Sequence, residues 1–95
     1  MQEDDPKRRE FEAQLASDGF EVVLVEREPN GFLDTHEHPF EAKALILSGE
    51  ISIGTKGTTD RRYRAGEIFH LQAGEPHTER YGPEGVRYLA GRKAS

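Results

Sequence analysis

Two imidazoles stand two residues apart, at His36 and His38, and a third follows at His77. In an extended chain, side chains i and i+2 project to the same face, so His36 and His38 enter one space if their stretch is a strand. Neutral imidazole is the commonest metal ligand, and two on one strand make half of a site. Three nitrogens meeting at one point would hold a divalent transition ion (Fe, Ni, Zn, Mn or Cu) and leave positions open for water, oxygen or a chelating substrate. Taken alone, a His-x-His pair is more often two solvated rings, or one hydrogen-bonded core residue, than a ligand pair.

Two carboxylates accompany the histidines. Glu79 shares the parity of His77, so it either joins the coordination or stands near it as an acid or base; the alternative is a surface carboxylate paired with an arginine. Glu41 carries the same two readings. His70 lies on the opposite parity to Phe69 and Leu71, which places it on an outer face or at an interface. Tyr63, Tyr81 and Tyr88 suit core or interface packing, with a pocket mouth as the other reading, and Phe40 and Phe69 read as core.

The elements that must position these groups are short strands. Phe20 to Arg27 carries the apolar run Val22 to Val25, a pattern for a strand buried on both faces, the outer one against a partner subunit. Glu28 to Gly31 is a turn cluster leading into the histidine stretch. Leu45 to Leu47 and Ile51 to Ile53 read as a hairpin around Ser48, Gly49 and Glu50. Residues 54 to 60 form a turn-rich tip, and Arg61 to Arg64 returns as a strand. Glu67 to Gln72, His77 to Tyr81 and Val86 to Ala90 follow, the last two separated by a turn at Gly82 to Gly85. About eight short strands between turns is an all-β pattern. Ahead of them, Pro6 to residue 18 reads as a helix, capped by Asp4 or Asp5 and ended by Gly19, with Phe11 and Leu15 on one face.

The two histidine-bearing stretches resemble the paired motifs of the cupin superfamily. Gly31, His36, His38 and Gly49 match the first motif, with one residue fewer between Gly31 and His36. Gly66, Gly74 and His77 match the second, with Gln72 in place of its proline and Tyr81 in place of its asparagine. The resemblance covers roughly residues 20 to 90. It implies a jelly-roll β-barrel, with the short N-terminal helix at 6–18, the barrel at 20–90 and one cupin domain across 1–95. It also implies that His36, His38 and His77 converge on a metal. The family's motif glutamate falls at Ala42 here. Glu41 is one residue out of phase and points outward, unless a bulge near Pro39 turns it in.

Composition narrows the function classes. The 95 residues carry a net charge of −5, with 34% hydrophobic and 33% charged residues and no cysteine. The basic clusters Lys7, Arg8, Arg9 and Arg61, Arg62, Arg64 are too short for a nucleic-acid footprint. Thiolate metal sites and disulfides are excluded. No apolar run is long enough to span a membrane and no signal-peptide pattern opens the chain, so a cytoplasmic protein is expected. A core this lean favours a bound metal or a homodimer. The expected function is a small mononuclear three-histidine metalloenzyme, dioxygenase-like or an isomerase, acting on a small chelating or acidic metabolite. The alternative is a non-catalytic module that binds or senses a small ligand.

Overall fold

Antiparallel pairing organises the chain from end to end. The computed structural model describes residues 6–55 and 59–94. Helix α1 (Pro6–Ser17) precedes β1 (Glu21–Arg27), β2 (Phe32–His36), β3 (Phe40–Thr55), β4 (Arg61–Arg64), β5 (Ile68–Leu71) and β6 (His77–Ala94). The expected caps at Asp4 or Asp5, and the part of the expected tip at 56–58, lie outside the described residues.

Strands β3 and β6, of 16 and 18 residues, each run through both layers of the fold. The first half of β3 lies between β5 and the second half of β6, whose far side pairs with β1. The second half of β3 lies between β4 and the first half of β6, whose far side pairs with β2. Two four-stranded layers result, and alternation turns Val25, Ala44, Ile46, Ile51, Phe69 and Tyr88 into one core between them.

The hairpin expected at Ser48 to Glu50 and the turn expected at Gly82 to Gly85 are corners within continuous strands, not chain reversals. The β3–β6 register slips between Ile46 and Ser48 and again between Gly49 and Ile51. Each slip strengthens the local bend that carries a strand from one layer to the other. Counting each half of β3 and β6 separately gives the eight strand segments read from the sequence. The corner depends on Gly49, at φ +73°, where an added Cβ would lie 2.1 Å from the Gly85 carbonyl oxygen. Gly49→Ala is therefore expected to destabilise the protein by on the order of 3 kcal/mol, read as a lower urea midpoint with an unchanged slope.

Helix α1 ends as expected. Gly19 sits at φ +84°, its N–H bonds the Ala16 carbonyl at 3.1 Å, and the Phe20 N–H reaches Leu15 at 2.9 Å, the paired bonds of a glycine C-cap. Leu15 is 2% exposed, and Phe11 packs with Val22 on Leu45, Leu47 and Leu89. The outer face of β1, which the sequence reading gave to a partner subunit, is thus covered in part by the chain's own helix; Leu24 stays 44% exposed. No helix among the described residues is long and apolar enough to cross a membrane.

Candidate metal centre

His77 opens β6 and faces inward, 2% exposed. His36 closes β2 directly across from it. Leu33 pairs with Glu79, so β2 takes three steps to His36 where β6 takes two to His77. This bulge turns His36 onto the inner face, where uninterrupted alternation from Leu33 would have turned it out. His38 lies just past the end of β2. It is held by its carbonyl, which accepts the Gly74 N–H at 2.8 Å, and by its ring, stacked on Phe40 at 4.9 Å and 12°. The one continuous strand expected for both rings is therefore a strand end and a loop. The rings converge all the same: their centroids are 4.3 Å apart for His36–His77, 5.0 Å for His36–His38 and 5.3 Å for His38–His77.

Glu79 completes the cluster. One ligand atom from each of His36, His38, His77 and Glu79 lies within 4.8 Å of the others. Oε2 of Glu79 is 3.1 Å from Nε2 of His36 and 3.1 Å from Nε2 of His77. Its Oε1 accepts the Tyr81 hydroxyl at 2.9 Å. The opposite ring nitrogens, Nδ1 of His36 and Nδ1 of His77, donate to the carbonyls of Asp34 at 2.7 Å and Glu75 at 3.0 Å.

That bonding fixes the chemistry of the site. A carbonyl can only accept, so each Nδ1 carries a proton, and in the neutral ring Nε2 presents a lone pair. Two such lone pairs and a carboxylate oxygen meet at one point, and they repel unless a cation lies among them. Donors about 2.1 Å from a shared ion would be roughly 3.0 Å apart at right angles and 3.4 Å apart at tetrahedral angles; the observed 3.1 Å falls between. The Glu79 contacts to His36 and His77 thus have coordination spacing, and the full set, spread over 4.8 Å, closes on one divalent transition ion after a side-chain shift of under about 1 Å, since two donors on one ion are at most roughly 4.2 Å apart.

Electrostatics favour the ligating forms of Glu79 and His38. In the metal-free site burial raises the Glu79 pKa, but the Tyr81 hydrogen bond, and the His77 and His36 rings when they are protonated, outweigh it and leave the carboxyl below its ordinary range. Burial, then the charges of His36 and His77, lower the pKa of His38 and favour its neutral, ligating form. Burial and the Glu79 charge raise the Tyr81 hydroxyl well above its usual value, so it remains a donor.

The reading of Glu79 as a surface carboxylate is corrected: it is 7% exposed and bonds histidines and a tyrosine, not an arginine. The alternation that brings His77 inward brings Glu79 and Tyr81 with it, and that signal was present in the sequence. Glu41 points outward and pairs with His70 on the outer face. No bulge at Pro39 turns it in, and the inward position is held by Ala42, paired with Leu71. The carboxylate therefore enters from β6 rather than from β3. Sequence reasoning missed the part played by Tyr81, which stands where the resemblance places an asparagine and anchors Glu79.

A cavity of about 60 Å³ opens beside the cluster, with His38 and Glu79 in its wall and Phe40, Ala42, Phe69 and Tyr88 around it. The small side chain at 42 leaves part of this space. Burial and then Glu79 push the Tyr88 hydroxyl up to about 12.

No family model matches this chain, and neither does any curated protein. Solved structures do. The DMSP lyase DddQ from Ruegeria pomeroyi superposes with a TM-score of 0.71 at 24% identity, over 80% of this chain and 39% of the lyase. The polyketide cyclase RemF from Streptomyces resistomycificus gives 0.68 at 26% identity, over 84% of this chain and 60% of the cyclase. A cupin superfamily protein from Desulfitobacterium hafniense gives 0.68 at 16% identity, over 80% of this chain and 68% of that protein. The chain thus spans 39% and 60% of the two enzymes it resembles, in both cases less than two thirds. On its two bent layers, its corner-crossing strands and these superpositions, the chain has the double-stranded β-helix fold of the cupin superfamily.

Proposed function

We propose that the protein is a metal-dependent enzyme whose mononuclear centre is held by His36, His38, His77 and Glu79, and which acts on a small chelating or acidic metabolite. The observation that carries this reading is the meeting of the Nε2 atoms of His36 and His77 with one Glu79 oxygen while both Nδ1 protons are committed to carbonyls. The three-histidine, dioxygenase-like expectation rested on Ala42 leaving the site without a carboxylate. With Glu79 in the donor set the reading widens to oxygenase, isomerase and lyase chemistry. The lyase and the cyclase with the same barrel support that breadth, since one fold serves several reactions.

A divalent ion there would supply Lewis acidity toward a substrate oxygen and, if redox-active, a place for oxygen. The chain's own residues do the positioning. The carbonyls of Asp34 and Glu75 fix two ring tautomers, Tyr81 fixes Glu79, and Phe40 fixes His38. Tyr88 stays protonated at neutral pH and offers a hydrogen bond to a bound oxygen atom.

One observation favours the alternative of a non-catalytic binding module. Apart from His38 and Glu79, the polar groups of the cavity wall are the guanidinium groups of Arg27 and Arg92 and the Tyr88 hydroxyl, so among the described residues of that wall no second carboxylate or imidazole stands free of the centre to act as a base. The test uses untagged protein, because a histidine tag could itself carry the ion. Dialysed against mixed divalent metals and then against metal-free buffer, it is expected to keep about one equivalent. Retention of none sinks the metal reading. Retention together with saturable ligand binding, but no turnover or oxygen uptake across a metabolite panel, selects the module over the enzyme. A homodimer, proposed on the exposed Leu24, Phe32, Leu33 and Ile68, is read from the mass in solution.

A further inference from the structure

Two guanidinium groups share the cavity with the metal ligands. Arg92 follows Tyr88 and Ala90 along the inner parity of β6, and Arg27 follows Val25 along that of β1. Both line the cavity that His38 and Glu79 also line. Arg92 is half-buried, its guanidinium 5.1 Å from the centre of the Phe40 ring. Arg27 is exposed; its Nη1 donates to the Glu26 carbonyl at 3.2 Å, and its guanidinium also hydrogen-bonds the Tyr81 hydroxyl. Neither side chain is sealed inside the fold, so both are within reach of a ligand entering from solvent. Among the described residues, neither is in ion-pair contact with a carboxylate.

The charge balance around this space is one-sided. Glu79 supplies one negative charge, a divalent ion would supply two positive ones, and the two guanidinium groups add two more. The cavity would therefore be positive in a chain whose net charge is −5. Its remaining wall is largely apolar, built from groups such as Phe40, Ala42, Phe69 and Leu71, which strengthens any charge pairing inside it. An arginine fork matches a carboxylate with two parallel hydrogen bonds, and among the described residues no carboxylate takes up either fork. The cavity, of about 60 Å³, is small, which favours a ligand of few heavy atoms.

We propose that the ligand of this site is a small carboxylate, its carboxylate group paired with Arg92 and Arg27 and a second oxygen directed at the wall formed by His38 and Glu79. This rests on the metal reading above and specifies its substrate class. An α-hydroxy acid of two to four carbons has both features, a carboxylate for the arginines and a neighbouring oxygen donor.

The test is calorimetric titration of glycolate, and of its neutral analogue glycolamide, into metal-loaded wild type, Arg92→Gln, Arg27→Gln and Arg92→Lys, with the metal content of each preparation measured. Glycolate is expected to bind the wild type at least tenfold more tightly than glycolamide. Arg92→Gln should weaken glycolate at least tenfold and Arg27→Gln less, both with metal content unchanged. Arg92→Lys should recover part of the loss, since it keeps the charge without the fork. Equal affinity for acid and amide, no binding of glycolate, or full affinity in the glutamine variants overturns the proposal while metal content still upholds the centre. Absence of metal from the wild type is a failure of the centre instead. The same titrations on that metal-free protein then decide the arginine subsite: loss on substitution supports it, and no change overturns it. If Arg92→Gln does not fold, Arg27→Gln and the acid–amide comparison carry the decision.

Discussion

His77→Ala is expected to abolish stable metal binding, taking an untagged preparation from about one equivalent to a trace, with affinity down at least about a hundredfold. Two effects combine in this variant. It removes a nitrogen donor, and it opens a hole at one of the largest fully buried side chains of the protein. Loss of fold alone could therefore imitate loss of a ligand. His36→Ala separates the two, because the His36 side chain is 25% exposed against 1% for His77. Both variants should lose the metal, whereas only His77→Ala should also lower the stability of the metal-free protein, by about 2–4 kcal/mol. Elemental analysis beside urea unfolding of chelated samples reads both quantities. A His77→Ala protein that folds and keeps a full equivalent of metal would end the case for this centre.

Removing the metal is expected to lower the melting temperature by about 10–20 °C at neutral pH. An ion at a hundred times its dissociation constant contributes about 2.7 kcal/mol of stability. In a domain of this length each kcal/mol moves the midpoint by roughly 4–8 °C. The difference between loaded and chelated protein should close as pH falls, because protons compete for the same nitrogens. The metal-free protein should itself weaken with acid. His38 has its pKa lowered from 6.5 by burial and the neighbouring rings, so below pH 6.5 the unfolded chain takes up the proton first and stability falls until the folded ring protonates. Glu79 acts in the same direction at lower pH: its folded pKa is depressed below 4.5, and the stability it contributes above that value is lost as pH falls through the folded one. Melting curves at pH 7, 6 and 5 with and without metal check the sign. A difference that widens toward acid would mean that the ion is bound elsewhere, by groups that do not titrate in this range.

Alternation was the most informative signal in the chain. It set His70 on the opposite face to Phe69 and Leu71, and the structure agrees: Phe69 and Leu71 are buried while His70 pairs with Glu41 outside. It also joined Glu79 and Tyr81 to His77. The surface reading of Glu79 treats a carboxylate as exposed by default, whereas the strand parity it shares with His77 points inward. Glycine was a less specific signal. Gly49 and Gly85 mark places where the backbone adopts positive φ, which a turn and a corner share. Only the register shows that β3 and β6 continue through those places into the second layer.

By itself the sequence determined the all-β class, the N-terminal helix with its glycine stop, and the three histidines, because these follow from local periodicity, capping and spacing. Tertiary structure decided which groups meet. The extra residue between Leu33 and His36 shows only against the pairing of β2 with β6, and it is this bulge that turns His36 toward His77. The convergence of Glu79 with His36, 43 positions away in the chain, and of Arg27 with Arg92 at one cavity depends on the same cross-strand register. Register is a property of two chain segments at once, and no local pattern in either one contains it.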